Sequence, residues 1–425
     1  MTDTKKKDWF RLDNAATVFP GQNSEGWSNV FRLSVELKEN IDPDLLSQAL
    51  KNTLPRFPAF DVRIRKGFFW YYFEKNPNGA PPVMPDINNP CHRVKFKENS
   101  GYLFRVYYHA CRISIDTFHS LADGHGAAVF ILSLTAEYLR LKGAEISFNE
   151  FVLNTQDKPK ESELEDSFRK HADSGTVIKA PLEKCYHSGD RKLPKHTLNI
   201  TSGIIDYSEF SSLIRPLGVT ATEYLTALLL DIHLRKQMRE TPGQRKVCVQ
   251  IPIDLRRRFQ SDTLRNFTIC LRVVIDPKFG EYSFDELLRQ THHQLALASD
   301  KKILNAMITY YLKAEQNPLL KLTPLFIKDF GVNVTFSLTA EQSTTALLTN
   351  LGAVTLPEDM KPYVEKLMFM PSPGLRNASR IGVATVNDKL VITFSDAFAE
   401  TDVEREFFTH FVKNGVHVKI ESNRY

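Results

Sequence analysis

The chain switches between two hydrophobic periods. Phe31–Leu37 is an apolar run of strand length. Asp42-Pro43 follows, an oxygen cap with proline in the first turn, and predicts a helix start. Leu46, Ala49, Leu50 and Leu54 then recur near helical spacing, and Pro55 stops the run. Val62–Arg65 and Phe68–Phe73 predict a hairpin around Lys66-Gly67, followed by a Pro-, Asn- and Gly-rich loop from Asn76 to Pro90. One long strand is expected over Arg105–Ile115. Ala127, Ile131, Leu134, Tyr138 and Leu141 share one face of a helix that Gly143 ends.

From about Thr155 to His196 the pattern lapses. Lys, Glu, Asp and Ser dominate, which predicts a surface crossover between two halves. Alternation resumes with a strand at Thr197–Ile205. Thr220-Ala221-Thr222-Glu223 matches a capping box, and the helix behind it carries Leu225, Leu228, Leu229 and Ile232. Strands are expected at Val247–Ile253, Phe267–Ile275, Val332–Leu338, Thr345–Leu348, Ile381–Val386 and Leu390–Ser395. Helices are expected at Phe284–Ser299, Lys302–Glu315 and Thr401–Asn414, the last closing at Gly415. The picture is an α/β chain in two halves, 1–154 and 197–425, joined by 155–196.

Composition narrows the class. The 425 residues are 42% apolar and 25% charged, ordinary globular usage that excludes general disorder and a fibrous repeat. Lys plus Arg number 55 and Asp plus Glu 50, a net +5 far from a dedicated nucleic-acid binder, though one that suits an anionic ligand. The N-terminus carries Lys5-Lys6-Lys7 with no apolar segment behind it, so no signal peptide is expected, and no apolar run reaches the ~18–20 residues of a membrane helix. Five scattered cysteines, none spaced C-x-x-C, predict reduced thiols in a cytoplasm, with neither a disulfide framework nor a structural zinc site.

The sharpest local feature is Phe118-His119-Ser120-Leu121-Ala122-Asp123-Gly124, between a predicted strand and a predicted helix. An imidazole at a strand end can take a proton from an alcohol or amine near neutral pH. Gly124 leaves room for backbone or substrate beside it. Asp123 either orients the ring or pairs with an arginine to hold the loop. The residues alone leave three readings of His119 open: a base, a packed core histidine, or one ligand of a metal trio with Asp123 and His125.

This segment resembles the H-H-x-x-x-D-G signature of the acyltransferase superfamily that includes chloramphenicol acetyltransferase, peptide-synthetase condensation domains, wax ester synthases and plant BAHD acyltransferases. The chain as a whole is more similar to the alcohol acetyltransferase-like branch. The resemblance runs through Leu12-Asp13-Asn14-Ala15-Ala16, Phe31-Arg32-Leu33-Ser34, Arg56-Phe57-Pro58 and Gly67-Phe68-Phe69-Trp70. It continues through Ile251-Pro252-Ile253-Asp254-Leu255-Arg256, Leu264-Arg265-Asn266-Phe267, Thr349-Asn350-Leu351-Gly352 and Gly415-Val416-His417-Val418-Lys419-Ile420-Glu421. The segments lie in family order over nearly the whole chain. One departure is Phe118, where the family has its first histidine; the second, the base of the family, is His119.

The resemblance implies two chloramphenicol-acetyltransferase-like halves with a tunnel between them, His119 at mid-tunnel and acyl-CoA as co-substrate, with no bound cofactor and no metal. His119 would deprotonate a small-molecule alcohol or amine, which attacks the thioester carbonyl directly; CoA thiolate then leaves and receives the proton. Asp123 would be structural, held by an arginine, with Arg256 the candidate partner. Gly124, Arg256 and Asn350 are the candidate residues of the substrate site, although Asn350 also suits a strand-end turn. The expected protein is a monomeric acyltransferase moving an acyl group, acetyl first among candidates. Two rivals stand beside it: a condensation enzyme fed by an acyl carrier protein, and a non-catalytic binder on the same scaffold.

Three other features read as decoys. His292-His293 lies on a predicted amphipathic helix, where neighbouring positions do not share a face. Asp329-Phe330-Gly331 is similar to a kinase metal loop but lacks the rest of that signature. Arg256-Arg257-Arg258 reads by default as a solvated loop.

Overall fold

The computed structural model describes residues 9–24, 28–87, 89–173, 175–179, 182–194, 197–240, 244–335, 341–372, 374 and 379–424. The first half runs β1 (Trp9–Arg11), α1 (Phe19–Gln22), β2 (Val30–Leu37), α2 (Pro43–Thr53), β3 (Val62–Lys66), β4 (Tyr71–Lys75), β5 (Val83–Pro85), β6 (Phe104–His109), β7 (Arg112–Phe118) and α3 (Gly124–Leu141). After α4 (Ser167–His171) come β8 (Asn199–Asp206), α5 (Tyr207–Ile214), α6 (Ala221–Glu240), β9 (Val247–Asp254), α7 (Arg256–Phe259), β10 (Thr268–Ile275), α8 (Phe284–Ala298) and α9 (Lys301–Gln316). The chain ends through α10 (Pro318–Leu322), α11 (Leu325–Thr335), β11 (Ala346–Ala353), β12 (Val364–Met370), β13 (Ser379–Val386), β14 (Lys389–Asp396), α12 (Asp402–Lys413) and β15 (Lys419–Ser422).

Two mixed sheets organise the molecule. A five-stranded sheet has the order β12-β2-β7-β6-β5, and a seven-stranded sheet the order β10-β9-β11-β13-β14-β8-β15. A small sheet, β1-β4-β3, flanks the first. Helices α2 and α3 pack together on the five-stranded sheet; α6, α8 and α12 cover the seven-stranded one. The caps form as their residues dictate. Asp42 accepts from the amides of Asp44 and Leu45 at the start of α2, and Thr220 with Glu223 closes a reciprocal capping box on α6.

The strand β12 has no counterpart in the sequence reading and crosses between the halves. It follows β11 in the chain yet pairs antiparallel with β2, Phe369 opposite Leu33. At the crossing the backbones touch: a Cβ on Gly382 would sit 2.0 Å from the Phe369 carbonyl, so only glycine fits there. Residues 155–196 are also more than a surface crossover. Arg56 forks onto Glu163 at 2.6 and 2.7 Å in a buried ion pair, and Phe168 and Tyr186 are buried in the core of the second half.

Other expectations need correction. The long strand over Arg105–Ile115 is two strands, β6 and β7, turning tightly at Ala110-Cys111; Ala110 takes φ +47 with no glycine or asparagine to announce it. The hairpin expected at Lys66-Gly67 exists, but β4 starts at Tyr71 and residues 67–70 form its loop. Helix α3 is buried on almost every side, Gly126 through Leu139, rather than along one stripe. The strand expected at Val332–Leu338 is wrong where it can be seen: residues up to Thr335 belong to α11, and 336–338 lie outside the described residues. Helical spacing lets Asp329 and Asn333 reach the first half together, and these contacts override the β preference of Val332 and Val334.

Candidate functional site

Strand β7 ends one residue before His119. Val30 pairs with Phe118, and the His119 amide extends that ladder by donating to the Asn29 carbonyl at 2.9 Å. The imidazole is thereby anchored by backbone at the rim of the sheet. Its ring stacks on Phe19 with centroids 4.5 Å apart and meets the edge of Phe31 at 5.1 Å. Phe118 points into the core against Phe96 and is fully buried, so it serves packing and leaves the imidazole to other partners.

Those partners come from distant segments. His119 Nδ1 lies 3.1 Å from Asn266 Oδ1. Asn266 in turn donates through Nδ2 to Asp13 Oδ2 at 3.2 Å. An amide oxygen can only accept, so Nδ1 carries the hydrogen and Nε2 holds the lone pair. The orientation of Asn266 is fixed because its amide group faces a carboxylate. Asp13 also accepts from the Ala16 amide at 2.8 Å and lies 3.5 Å from Arg265 Nε. Burial pushes the Asp13 carboxyl up to about 6, against the pull of Arg265. Burial likewise lowers His119 below its ordinary value, against the opposing effect of Asp123. Burial thus favours the neutral form of the imidazole.

Asp123 faces elsewhere. Its two oxygens receive Arg256 Nη1 at 2.9 Å and Nη2 at 3.0 Å. They also accept from the Phe267 amide at 2.9 Å and cap α3 through the Gly126 amide at 3.2 Å. Burial alone would raise this carboxyl; Arg256 and the hydrogen bonds hold it below its usual value. Arg256 is equally consumed. Its remaining donors go to Asp254 at 2.8 Å and to the carbonyls of Thr263 at 2.7 Å and Arg265 at 2.5 Å. Its guanidinium thus joins the halves, its donors taken by acceptors of the chain itself.

The other candidates separate. A Cβ on Gly124 would come within 2.9 Å of Leu351 Cδ2 and 3.3 Å of Phe369 Cζ, so the glycine admits side chains of β11 and β12 to the turn. A Cβ on Gly126 would collide with the Leu264 carbonyl at 2.0 Å. Asn350 reaches Thr222 at 3.1 Å and accepts from the Gly352 amide at 2.8 Å, the bonding of a strand-end turn. His125 stands 4.0 Å from Asp254 and packs on Phe151, apart from the His119–Asn266 pair. Among the described residues no three His, Cys, Asp or Glu side chains converge as metal ligands. His292 bonds to Glu223 of the α6 capping box. Two cavities of about 690 and 580 Å³ open on the surface, and His119 lines neither.

Asn266 and Asp13 were not singled out for a role by the sequence reading. Their signal was present, since each lies in a segment that carries the family resemblance, but nothing in either segment says that they meet across 253 positions.

No family model matches the chain, and neither does any curated protein. Solved structures do. TRI101 of F. graminearum, complexed with coenzyme A and T-2 mycotoxin, is 11% identical with a TM-score of 0.63, covering 97% of this chain and 99% of that one. Polyketide synthase associated protein 5 of Mycobacterium tuberculosis is 15% identical with a TM-score of 0.58, covering 95% and 96%. A variant starter condensation domain of rhizomide synthetase RzmA, in complex with C8-CoA and Leu-SNAC, is 14% identical with a TM-score of 0.56, covering 95% and 93%. The chain shares the two-half α/β fold of these proteins.

Proposed function

We propose that the protein transfers an acyl group, acetyl first among candidates, from a coenzyme A thioester to an alcohol or amine, with His119 as general base. The observation that carries this reading is the oriented imidazole: Nδ1 tied to Asn266, which leaves the lone pair on Nε2. Nε2 would take the proton from the acceptor O–H or N–H as its oxygen or nitrogen bonds to the thioester carbonyl carbon. The tetrahedral intermediate would collapse by breaking the C–S bond, and the Nε2 proton would pass to the departing thiolate. Asn266 Oδ1 would stabilise the transient imidazolium, with Asp13 behind it. Asp123, Arg256 and Gly126 would set the relation between the halves and so the position of His119. Neighbours solved with coenzyme A on the same fold support the donor class.

The test is free-thiol release from acetyl-CoA and longer acyl-CoAs with a panel of alcohols and amines. Thiol release matched by acylated acceptor is the expected result. Failure with every CoA ester would sink this reading. Activity with a pantetheine-linked carrier-protein donor instead would favour the condensation reaction, the alternative that the RzmA likeness keeps in view.

A further inference from the structure

All five cysteines stand as free thiols, and the fold brings two of them together. Cys185 lies on the crossover between the halves and Cys248 on β9. Cys185 bridges to Lys246 in parallel alignment, and the Tyr186 amide donates to the Lys246 carbonyl at 2.8 Å. Paired residues of a ladder point to one face, and so do residues two apart on a strand, so Cys185, Lys246 and Cys248 share a face. The two thiols hydrogen-bond to each other there.

One cation serves both sulfurs. Arg272, on the neighbouring β10, donates through Nε to Cys248 Sγ at 3.3 Å, and its Nη2 lies 3.9 Å from Cys185 Sγ. Arg272 also donates to the Ser343 carbonyl, which accepts from Cys185 Sγ at 3.2 Å. The same short stretch before β11 holds both backbones. The Cys185 amide donates to the Gln342 carbonyl at 2.8 Å. Thr345 accepts from the Cys248 amide at 3.1 Å through its hydroxyl and returns its own amide to the Cys248 carbonyl at 2.9 Å.

A thiol buried among apolar groups is inert; one beside a guanidinium is not. The hydrogen bond from Cys185 draws the Cys248 thiol below its ordinary value, and Arg272 acts the same way against burial. The same bond, with burial, pushes the Cys185 thiol up. We propose that Cys185 and Cys248 form a redox site that a peroxide oxidises to a disulfide. The Cys248 thiolate attacks one oxygen of hydrogen peroxide and breaks the O–O bond. A sulfenic acid forms on Cys248, and the other oxygen leaves as water with the thiol proton. The Cys185 sulfur then bonds to the Cys248 sulfur and displaces the hydroxyl, which leaves as water with the Cys185 proton. Two thiols and one hydrogen peroxide become one disulfide and two waters, with two electrons passing from sulfur to the peroxide. The cover over the pair is thin, since Leu182, Glu183 and Lys184 are exposed immediately before the buried Cys185. The new bond would staple the crossover to the seven-stranded sheet. It stands independently of the acyl-transfer reading.

The test is hydrogen peroxide treatment of the folded full chain, followed by alkylation of the remaining thiols, digestion and mass spectrometry. A Cys185–Cys248 cross-link should appear and dithiothreitol should remove it, while Cys91, Cys111 and Cys270 stay outside any link. Cys185→Ser, a conservative change that keeps a hydrogen-bond donor, should halt the reaction at a sulfenic acid on Cys248, which dimedone traps. In urea the same treatment of the parent chain should spread links among all five cysteines. No link in the folded parent chain, a link joining any other pair, or no dimedone label on Cys248 in the variant would overturn the proposal. So would an unchanged pattern of links in urea, because the fold would then not select the pair.

Discussion

His119 and Asp123 stand four positions apart in one turn, and their surroundings are opposite in kind. Asp123 is saturated: two bonds from Arg256, one from the Phe267 amide and one from the Gly126 amide. His119 has Nδ1 engaged by a neutral amide, which leaves the lone pair on Nε2. A carboxylate with every lone pair assigned holds structure, because moving it would strand several buried partners. An imidazole whose Nδ1 is fixed as a donor presents its lone pair on Nε2. The motif thus sets a clasp beside an oriented imidazole, and the close-packed Gly126 lets the second half approach near enough to reach both.

Breaking each side separately should give different signatures. The largest effect falls on rate: His119→Ala should slow acyl transfer by about 10²–10⁴-fold, with the thermal midpoint near that of the parent protein, checked by thiol release beside calorimetry. Next is stability. Asp123→Asn leaves Arg256 buried without its main counter-charge and should cost about 3–5 kcal/mol in denaturant unfolding. Equal stability would refute the clasp. The smallest effect sharpens the comparison most. Asn266→Ala removes the acceptor behind the imidazolium and should cost about 10–100-fold in kcat/KM, the equivalent of a ~1.5–3 kcal/mol charge-assisted hydrogen bond. Asn266 also pulls the imidazole pKa upward, so the same variant should move the acid limb of the pH profile to lower pH, which a purely structural role would not do.

Much of this was legible in the residues because the governing contacts are local. Asp42 and Thr220 announce their helices through caps within a few positions. The strand–His119–turn–Gly124 helix sequence is a single local unit, and Arg256 could be offered as a partner because family order suggested it. What was not legible depends on chain crossings. β12 leaves its sequence neighbours to complete the other sheet. Asn266 and Asp13 have unremarkable local settings and acquire a purpose only when both halves close on His119. Helix α11 was misread for a related reason: its β-branched residues suggest a strand, and only contacts with Tyr71, Phe69 and Gly21 of the first half select the helix.

The central claim is that His119 acts as the base, and the pH dependence of kcat/KM for thiol release tests it most directly. Below its pKa the imidazole holds a proton on Nε2 and cannot accept another, so the rate must fall as pH falls. Burial lowers that pKa from the ordinary 6.5, which places the acid limb below that value. The account predicts a limb below 6.5 in the parent protein that disappears in the residual activity of His119→Ala. A limb at or above 6.5, or one that survives unchanged in the variant, would contradict it.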